Sequence, residues 1–431
     1  MPVNVTFPYP DVAPLAIPDS FDAEIFEPKP YSCPVSGAEV VLHALRNPVA
    51  TDRLSELARG RRKVLIVIDD MTRPTPVSEF IHYLMDELHR AGIRDSQVQF
   101  LTALGTHRPM TKDEMARKLG SGTIKRFKVH NHKWDDPDCL ELIGRTDQGV
   151  PVWINKLVRE SDLVIGIGAI MPIEICGFTG GGKILVPGVC GEVTTDEMHW
   201  TRMGVPASRV LGKVENPIRK SVDELARKAG LHFIVNVVID NNDKMVAAVA
   251  GDMTAAHREG CRIALDVFAV NFGHEYDLVI ADSYPFDIEF WQANKALDTT
   301  GEVVKKGGVV ILVAPCHEGF SRTHAELMEL GYPPIAQIEK LVESGKISHK
   351  VVGVHMMQVS TVAVEKARVI LVSSGISRTE AEKAGLEWAQ TPQKAFDMAL
   401  GMVPKDPGIA ILRGAARMLP LVKRSGENDG T

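Results

Sequence analysis

The stretch Gly177 to Trp200, GFTGGGKILVPGVCGEVTTDEMHW, sets Lys183 directly behind Gly180, Gly181 and Gly182 and places His199 sixteen residues later. Three consecutive glycines carry no side chain to hold a flat ligand off the backbone, and their amides can point at an anion. A bound cofactor would then lie within reach of Lys183. Gly177 to Lys183 also fits G-x-x-x-x-G-K, but Ile184 follows where a magnesium-binding Ser or Thr is needed, so a nucleotide-hydrolase reading loses its metal. A glycine turn between packed elements, with a solvated lysine, is the plainer alternative.

Other polar clusters follow apolar runs. IVIDDMTRPTP places Asp69, Asp70, Thr72 and Arg73 after one run, TALGTHRPMT places Thr106, His107 and Arg108 after another, and DIEFWQANKAL carries Trp291, Gln292 and Lys295. Arg73 beside two aspartates reads either as a surface ion-pair cluster or, with Pro74 and Pro76 stiffening the turn, as a preset fork for carboxylate or phosphate. His107 taken alone is an ordinary histidine as readily as a base. HNHKWDD, His130 to Asp136, has metal-ligand residue types but reads better as a polar loop. Gln292 and Lys295 are three apart, hence on one helical face and able to grip one ligand.

Strands and helices must bring these clusters together. Strand-like runs at Val64–Ile68, Gln97–Leu104, Asp162–Ile170 and His232–Asp240 alternate with helical periodicity, as in PVSEFIHYLMDELHRAG, and a second series runs through Tyr276–Asp282, Gly307–Pro315 and Ala367–Gly375. The pattern predicts an α/β fold of two domains with largely parallel sheets: residues 1–272, residues 273–405, and a terminal segment 406–431 whose GIAIL strand packs on either domain before a frayed SGENDGT. Ligands of such sheets collect at the carboxyl ends of strands, so one active site is expected in the cleft between the domains.

Composition narrows the function class. A net charge of -6 without a basic run argues against nucleic acid and anionic membrane as partners, and no apolar stretch is long enough to span a bilayer. The N-terminus lacks a signal-peptide pattern, which points to the cytoplasm. Six scattered cysteines without CxxC spacing indicate neither a disulfide framework nor a thiolate zinc site, and Cys176 and Cys190 read as buried filler.

Taken together, DDMTRP, GTHRPMT, GFTGGGK, MHW and WQANKAL, in this order and over nearly the whole chain, resemble the nickel-dependent lactate racemase family. The resemblance implies a nickel-pincer nucleotide, a pyridinium mononucleotide with thiocarbonyl groups, attached to Lys183, its nickel held by a pyridinium carbon, two sulfurs and His199. It implies His107 as a base, Arg73 and Lys295 with Gln292 as the grip on a substrate carboxylate, and Asp70 on the nucleotide, with Thr72 and Gly180 to Gly182 around it. The implied reaction moves the C2 hydrogen of a 2-hydroxy acid as hydride, through a 2-keto acid, and returns it to the other face. Proteins that synthesise the cofactor are implied partners. The family's second catalytic histidine, ten residues before the lysine, is Ile173 here; Glu174 stands in only if the loop turns it inward. Trp291 stands where the family often has tyrosine. The expected substrate is therefore a longer 2-hydroxy acid rather than lactate. The rivals are a non-catalytic binder of a carboxylic acid or nucleotide, and redox or dehydration of a hydroxy acid on the same fold.

Overall fold

Val64–Asp69 is VLIVID with all six residues buried, and Leu163–Ala169 and Phe233–Ile239 are buried throughout as well. Strands apolar on both faces must lie inside a sheet covered on both sides. The computed structural model describes residues 3–423 except 34 and 147–148, so SGENDGT lies outside the described residues. The chain divides into one unit of Pro30–Val267 and a second of Met1–Lys29 with Phe268–Thr431.

In the first of these units six strands run in the order 245–251, 233–239, 163–169, 64–69, 98–103, 128–131. All neighbours are parallel except Met245–Gly251, which lies antiparallel on Phe233–Ile239. The amphipathic run after Pro76 forms the helix Val77–Arg90, with Val77, Phe80, Ile81, Leu84, Met85 and Leu88 buried at helical spacing.

The second unit has six parallel strands in the order 387–389, 368–372, 304–313, 276–282, 409–412, 23–26. Two expectations about boundaries change here. Residues 1–29 and 268–272 fall in the C-terminal unit rather than with 30–267; Ala23–Phe26 adds a parallel edge strand beside Ile409–Leu412. Val5, Tyr9, Leu15 and Ile17 pack into the same apolar cluster as Leu278, Ile311, Ile370 and Ile411. The terminal segment packs on this unit too, through Ile409–Leu412 and through Leu419–Val422 paired with Ala269–Phe272. Among the described residues no helix is long and apolar enough to cross a membrane.

Asp282 closes the strand Tyr276–Asp282 with its carboxylate accepting from the backbone N–H of Tyr284 (3.1 Å) and of Gly414 (3.4 Å). Burial raises its pKa to about 6 against these bonds and the Arg417 charge. A pKa raised by folding contributes stability below the unfolded value and loses it as pH rises through the folded value, so this group weakens the fold between about pH 4 and 6, by about 3 kcal/mol at most. Urea unfolding of wild type and Asp282→Asn at pH 4 and pH 7 checks this. The variant is expected to gain stability relative to wild type between the two pH values, and a pH-independent difference would show that Asp282 does not titrate in that window.

Candidate functional site

Three neighbouring parallel strands, Leu163–Ala169, Val64–Asp69 and Val98–Ala103, end on the same edge of the sheet. Strands in a sheet are about 4.8 Å apart, so the loops leaving them meet. The turn after Val64–Asp69 holds Asp70, Thr72 and Arg73; the loop after Val98–Ala103 holds His107. His107 Nδ1 lies 2.6 Å from Asp70 Oδ2. The other carboxylate oxygen, Oδ1, accepts from the Thr72 hydroxyl at 2.5 Å and the Thr72 amide at 3.1 Å. Arg73 in turn donates to the Thr72 hydroxyl at 2.8 Å. Burial favours the neutral acid at Asp70, but the charges and bonds of His107, Arg73 and Thr72 outweigh it and hold the carboxyl well below the usual carboxylate range. An ionised carboxylate on Nδ1 fixes that nitrogen as the protonated one and leaves Nε2 as the acceptor. Asp70 and Thr72, expected against a nucleotide, thus spend these bonds on orienting His107 and Arg73.

Lys183 follows from the strand Leu163–Ala169 through a short antiparallel pairing of Pro172–Ile173 with Gly177–Phe178 and a 3-10 turn, Gly181–Ile184. Its side chain is half-buried, and its Nζ has no hydrogen bond or ion pair among the described residues. Burial lowers its pKa, and Arg73 and Arg219 push the same way against Cys176 and Glu174. The glycines before it are also required by packing. A Cβ on Gly180 would stand 2.8 Å from Asn236 Oδ1, one on Gly181 2.8 Å from the His257 ring, and one on Gly182 2.9 Å from Ala226. Gly180 and Gly181 also have positive φ, 77° and 58°. They let the turn press against protein, and the Gly181 amide is taken by Asn236 at 2.8 Å.

Sequence reasoning missed what holds this turn. Arg219, fully buried, donates to the carbonyls of Cys176 (3.4 Å), Phe178 and Gly180 (3.2 Å) and pairs with Asp223 at 3.6 Å. His257 lies 2.8 Å from the Thr179 carbonyl. Both come from helices distant in the chain; the only local signal is the i, i+4 spacing of Arg219 and Asp223.

His199 sits in the last turn of the helix Glu192–Trp200, which is tied to the neighbouring strand by the Trp153 amide on Thr194 Oγ1 at 2.8 Å. His199 Nδ1 donates to the Thr195 carbonyl at 2.7 Å, and burial, reinforced by the Lys183 charge, pushes its pKa down to about 4. It is a neutral imidazole with Nε2 unbonded among the described residues, the state a metal ligand needs. Among the described residues no three His, Cys, Asp or Glu side chains converge on a metal position. His130 and His132 are structural: His130 bonds Gln99 at 2.9 Å, and His132 lies between the Cys190 carbonyl (2.8 Å) and Asn155 (3.0 Å).

Ile173 packs with Cys176, Val210 and Ile218 in a small apolar cluster. Glu174, in the turn that follows Ile173, is only 5 % exposed, and its charge acts on both Lys183 and His199. The loop does turn Glu174 inward.

In the second unit Gln292 and Lys295 meet, Lys295 Nζ donating to Gln292 Oε1, but from two consecutive helices rather than one helical face. They flank Asn294, which joins the helices Phe290–Ala293 and Lys295–Val303. Lys295 also lies over the Phe286 ring at 5.1 Å. Trp291 stacks on His355, ring centroids 4.4 Å apart, and tilts against His324 at 4.3 Å; His355 Nε2 is 3.1 Å from the Tyr332 hydroxyl. These histidines fall on segments without a recognisable motif.

Residues 11–210 match the family model described as lactate racemase N-terminal domain, and residues 273–418 match lactate racemase C-terminal domain. The lactate racemase of Thermoanaerobacterium thermosaccharolyticum is 35% identical over 294 residues, 67% of this chain and 68% of that one. That of Lactiplantibacillus plantarum is 34% identical over 292 residues, again 67% and 68%. The solved apoprotein structure of the Thermoanaerobacterium lactate racemase aligns with a TM-score of 0.85 at 29% identity, over 97% of this chain and 100% of that one. A protein from Thermotoga maritima, 23% identical, shares the fold with a TM-score of 0.74 over 90% of this chain and 100% of that one.

Proposed function

Because the chain belongs to the lactate racemase family, and so has a racemase-type function on a small molecule, we propose that it inverts the C2 centre of a 2-hydroxy acid with the help of a nickel-pincer nucleotide. The observation that carries this reading is the His107–Asp70 pair, 2.6 Å, beside Arg73 and on the same sheet edge as an unpaired Lys183. The residues fit such a group: Lys183 offers an amine whose pKa is lowered by burial, and His199 offers a neutral Nε2 as the one protein ligand to nickel. When bound, the group supplies a reversible acceptor for the C2 hydride.

The chain's own residues do the rest. His107 Nε2 takes the hydroxyl proton, and Asp70 on Nδ1 stabilises the imidazolium that results. Arg73, its guanidinium tethered to Thr72, supplies a planar fork for the substrate carboxylate. By the family resemblance, Lys295 and Gln292 are further candidates for holding a carboxylate. With Ile173 committed to an apolar cluster, His107 serves both directions of proton transfer as the keto acid reorients. A longer acid with a hydroxylated tail is the substrate this favours, anchored by the tail during that turn. A non-catalytic binding role is the second reading, and Ile173 is the observation in its favour.

A screen of single enantiomers of 2-hydroxy acids for loss of optical purity tests both. It uses protein produced together with the cofactor-synthesis enzymes. The longer hydroxylated acids are expected to lose optical purity faster than lactate. Equal rates with lactate would remove the role given to Ile173, and no turnover by nickel-containing protein would favour the binding role.

A further inference from the structure

The turn carrying Asp70, Thr72 and Arg73 and the loop carrying His107 leave different strands, yet the helix Lys112–Leu119 grips both. Its start is locked to the His107 loop: Thr111 forms a capping box with Glu114, and Arg108 makes a two-pronged bond to the Glu114 carboxylate at 2.8 and 2.9 Å. Its far end carries Lys118, which is 4% exposed. Lys118 Nζ donates to the Asp70 carbonyl at 2.9 Å and the Arg73 carbonyl at 2.9 Å, and pairs with Asp69 Oδ1 at 2.6 Å. Asp69 is held from its other oxygen by Thr75 at 2.5 Å.

An ammonium has three N–H donors; here two of them go to backbone carbonyls of the 70–73 turn while its charge faces the Asp69 carboxylate. A buried ion pair needs only the carboxylate. The two carbonyls belong to the residues that open and close the turn, so the same ammonium sets the turn's shape and its distance from the helix. We propose that Lys118 is a positioning residue for the reaction: it holds the 70–73 turn against the helix that also holds the His107 loop, so that Asp70 meets His107 and Arg73 is aimed by one rigid bracket. The proposal rests on the reading of His107 as the base and Arg73 as the carboxylate fork. Lys118 itself touches neither substrate nor cofactor.

The test uses Asp69→Asn/Lys118→Met, which removes the ammonium without leaving a buried carboxylate uncompensated, and Lys118→Gln, whose amide keeps donors for the carbonyls without the charge. The primary readout is the proton resonance of the short His107 Nδ1–H bond in the cofactor-free protein, identified by its loss in His107→Gln. In the double variant this resonance is expected to move upfield or broaden away while thermal unfolding stays cooperative; in Lys118→Gln a partial upfield shift is expected. In cofactor-loaded protein kcat/KM should fall about 10²-fold in the double variant, the loss associated with misplacing a catalytic group by ~1 Å. A resonance unchanged in either folded variant overturns the proposal. Should His107→Gln leave turnover intact, the assignment of the base fails instead, and the resonance in the Lys118 variants still decides whether Lys118 shapes the turn.

Discussion

Cofactor-loaded Lys183→Ala is expected to carry no added mass on the Gly177–Trp200 segment and to have no measurable racemisation. An amine must be neutral to form a bond to carbon, and burial lowers the Lys183 pKa, with Arg73 and Arg219 adding to the effect. The side chain is also uncommitted within the described residues, whereas the buried lysine Lys118 is held by two backbone carbonyls and the Asp69 carboxylate. Intact-protein and peptide mass spectrometry of wild type and variant decides the matter; an adduct that persists in Lys183→Ala would move the attachment elsewhere. His199→Ala separates attachment from metal binding. It should keep the adduct and lose nickel, measured on the same samples by elemental analysis, if its Nε2 is the donor as proposed, since the Lys183 turn is held independently by Arg219 and His257.

His107→Ala should lower turnover by about 10²–10⁴-fold, the range for loss of a general base, while leaving the Lys183 adduct in place. The size follows from the arrangement: Asp70 stays ionised, holds Nδ1 at 2.6 Å and leaves Nε2 as the acceptor. Asp70→Asn should have the same sign and a smaller effect, because an amide still bonds Nδ1 but no longer offsets the charge of the imidazolium. A loss below about tenfold for His107→Ala would hand the proton to another group, and Glu174, buried and acting electrostatically on Lys183 and His199, is the side chain placed to take it. Stereochemical assays with the best substrate from the screen, followed in both directions, supply the measurement.

Fully buried strands such as VLIVID announce themselves because an apolar run bounded by turn residues has few other places to go, and the loops after them were readable as sites for the same reason. Strands without that signature were not legible. Ala23–Phe26 is short and partly exposed, Lys128–Asn131 is a polar edge strand, and Met245–Gly251 is rich in alanine and glycine; their pairing depends on neighbours far along the chain. Residues 1–29 pack with the C-terminal unit for that reason, since the edge they complete belongs to Ile409–Leu412.

Residue types and order alone determined the candidates: Lys183 and His199 after a glycine triple, His107, Arg73, Gln292 and Lys295, and the absence of a histidine at position 173. Tertiary structure decided how these residues are used. It showed that Gly180 to Gly182 make room for Asn236, His257 and Ala226, that Asp70 and Thr72 orient His107 and Arg73, and that Ile173 faces apolar packing while Glu174 turns inward. The reason is physical. Local sequence carries periodicity and backbone preference, but the partner of a hydrogen bond and the protonation state of a buried group depend on atoms that only folding brings within a few ångströms.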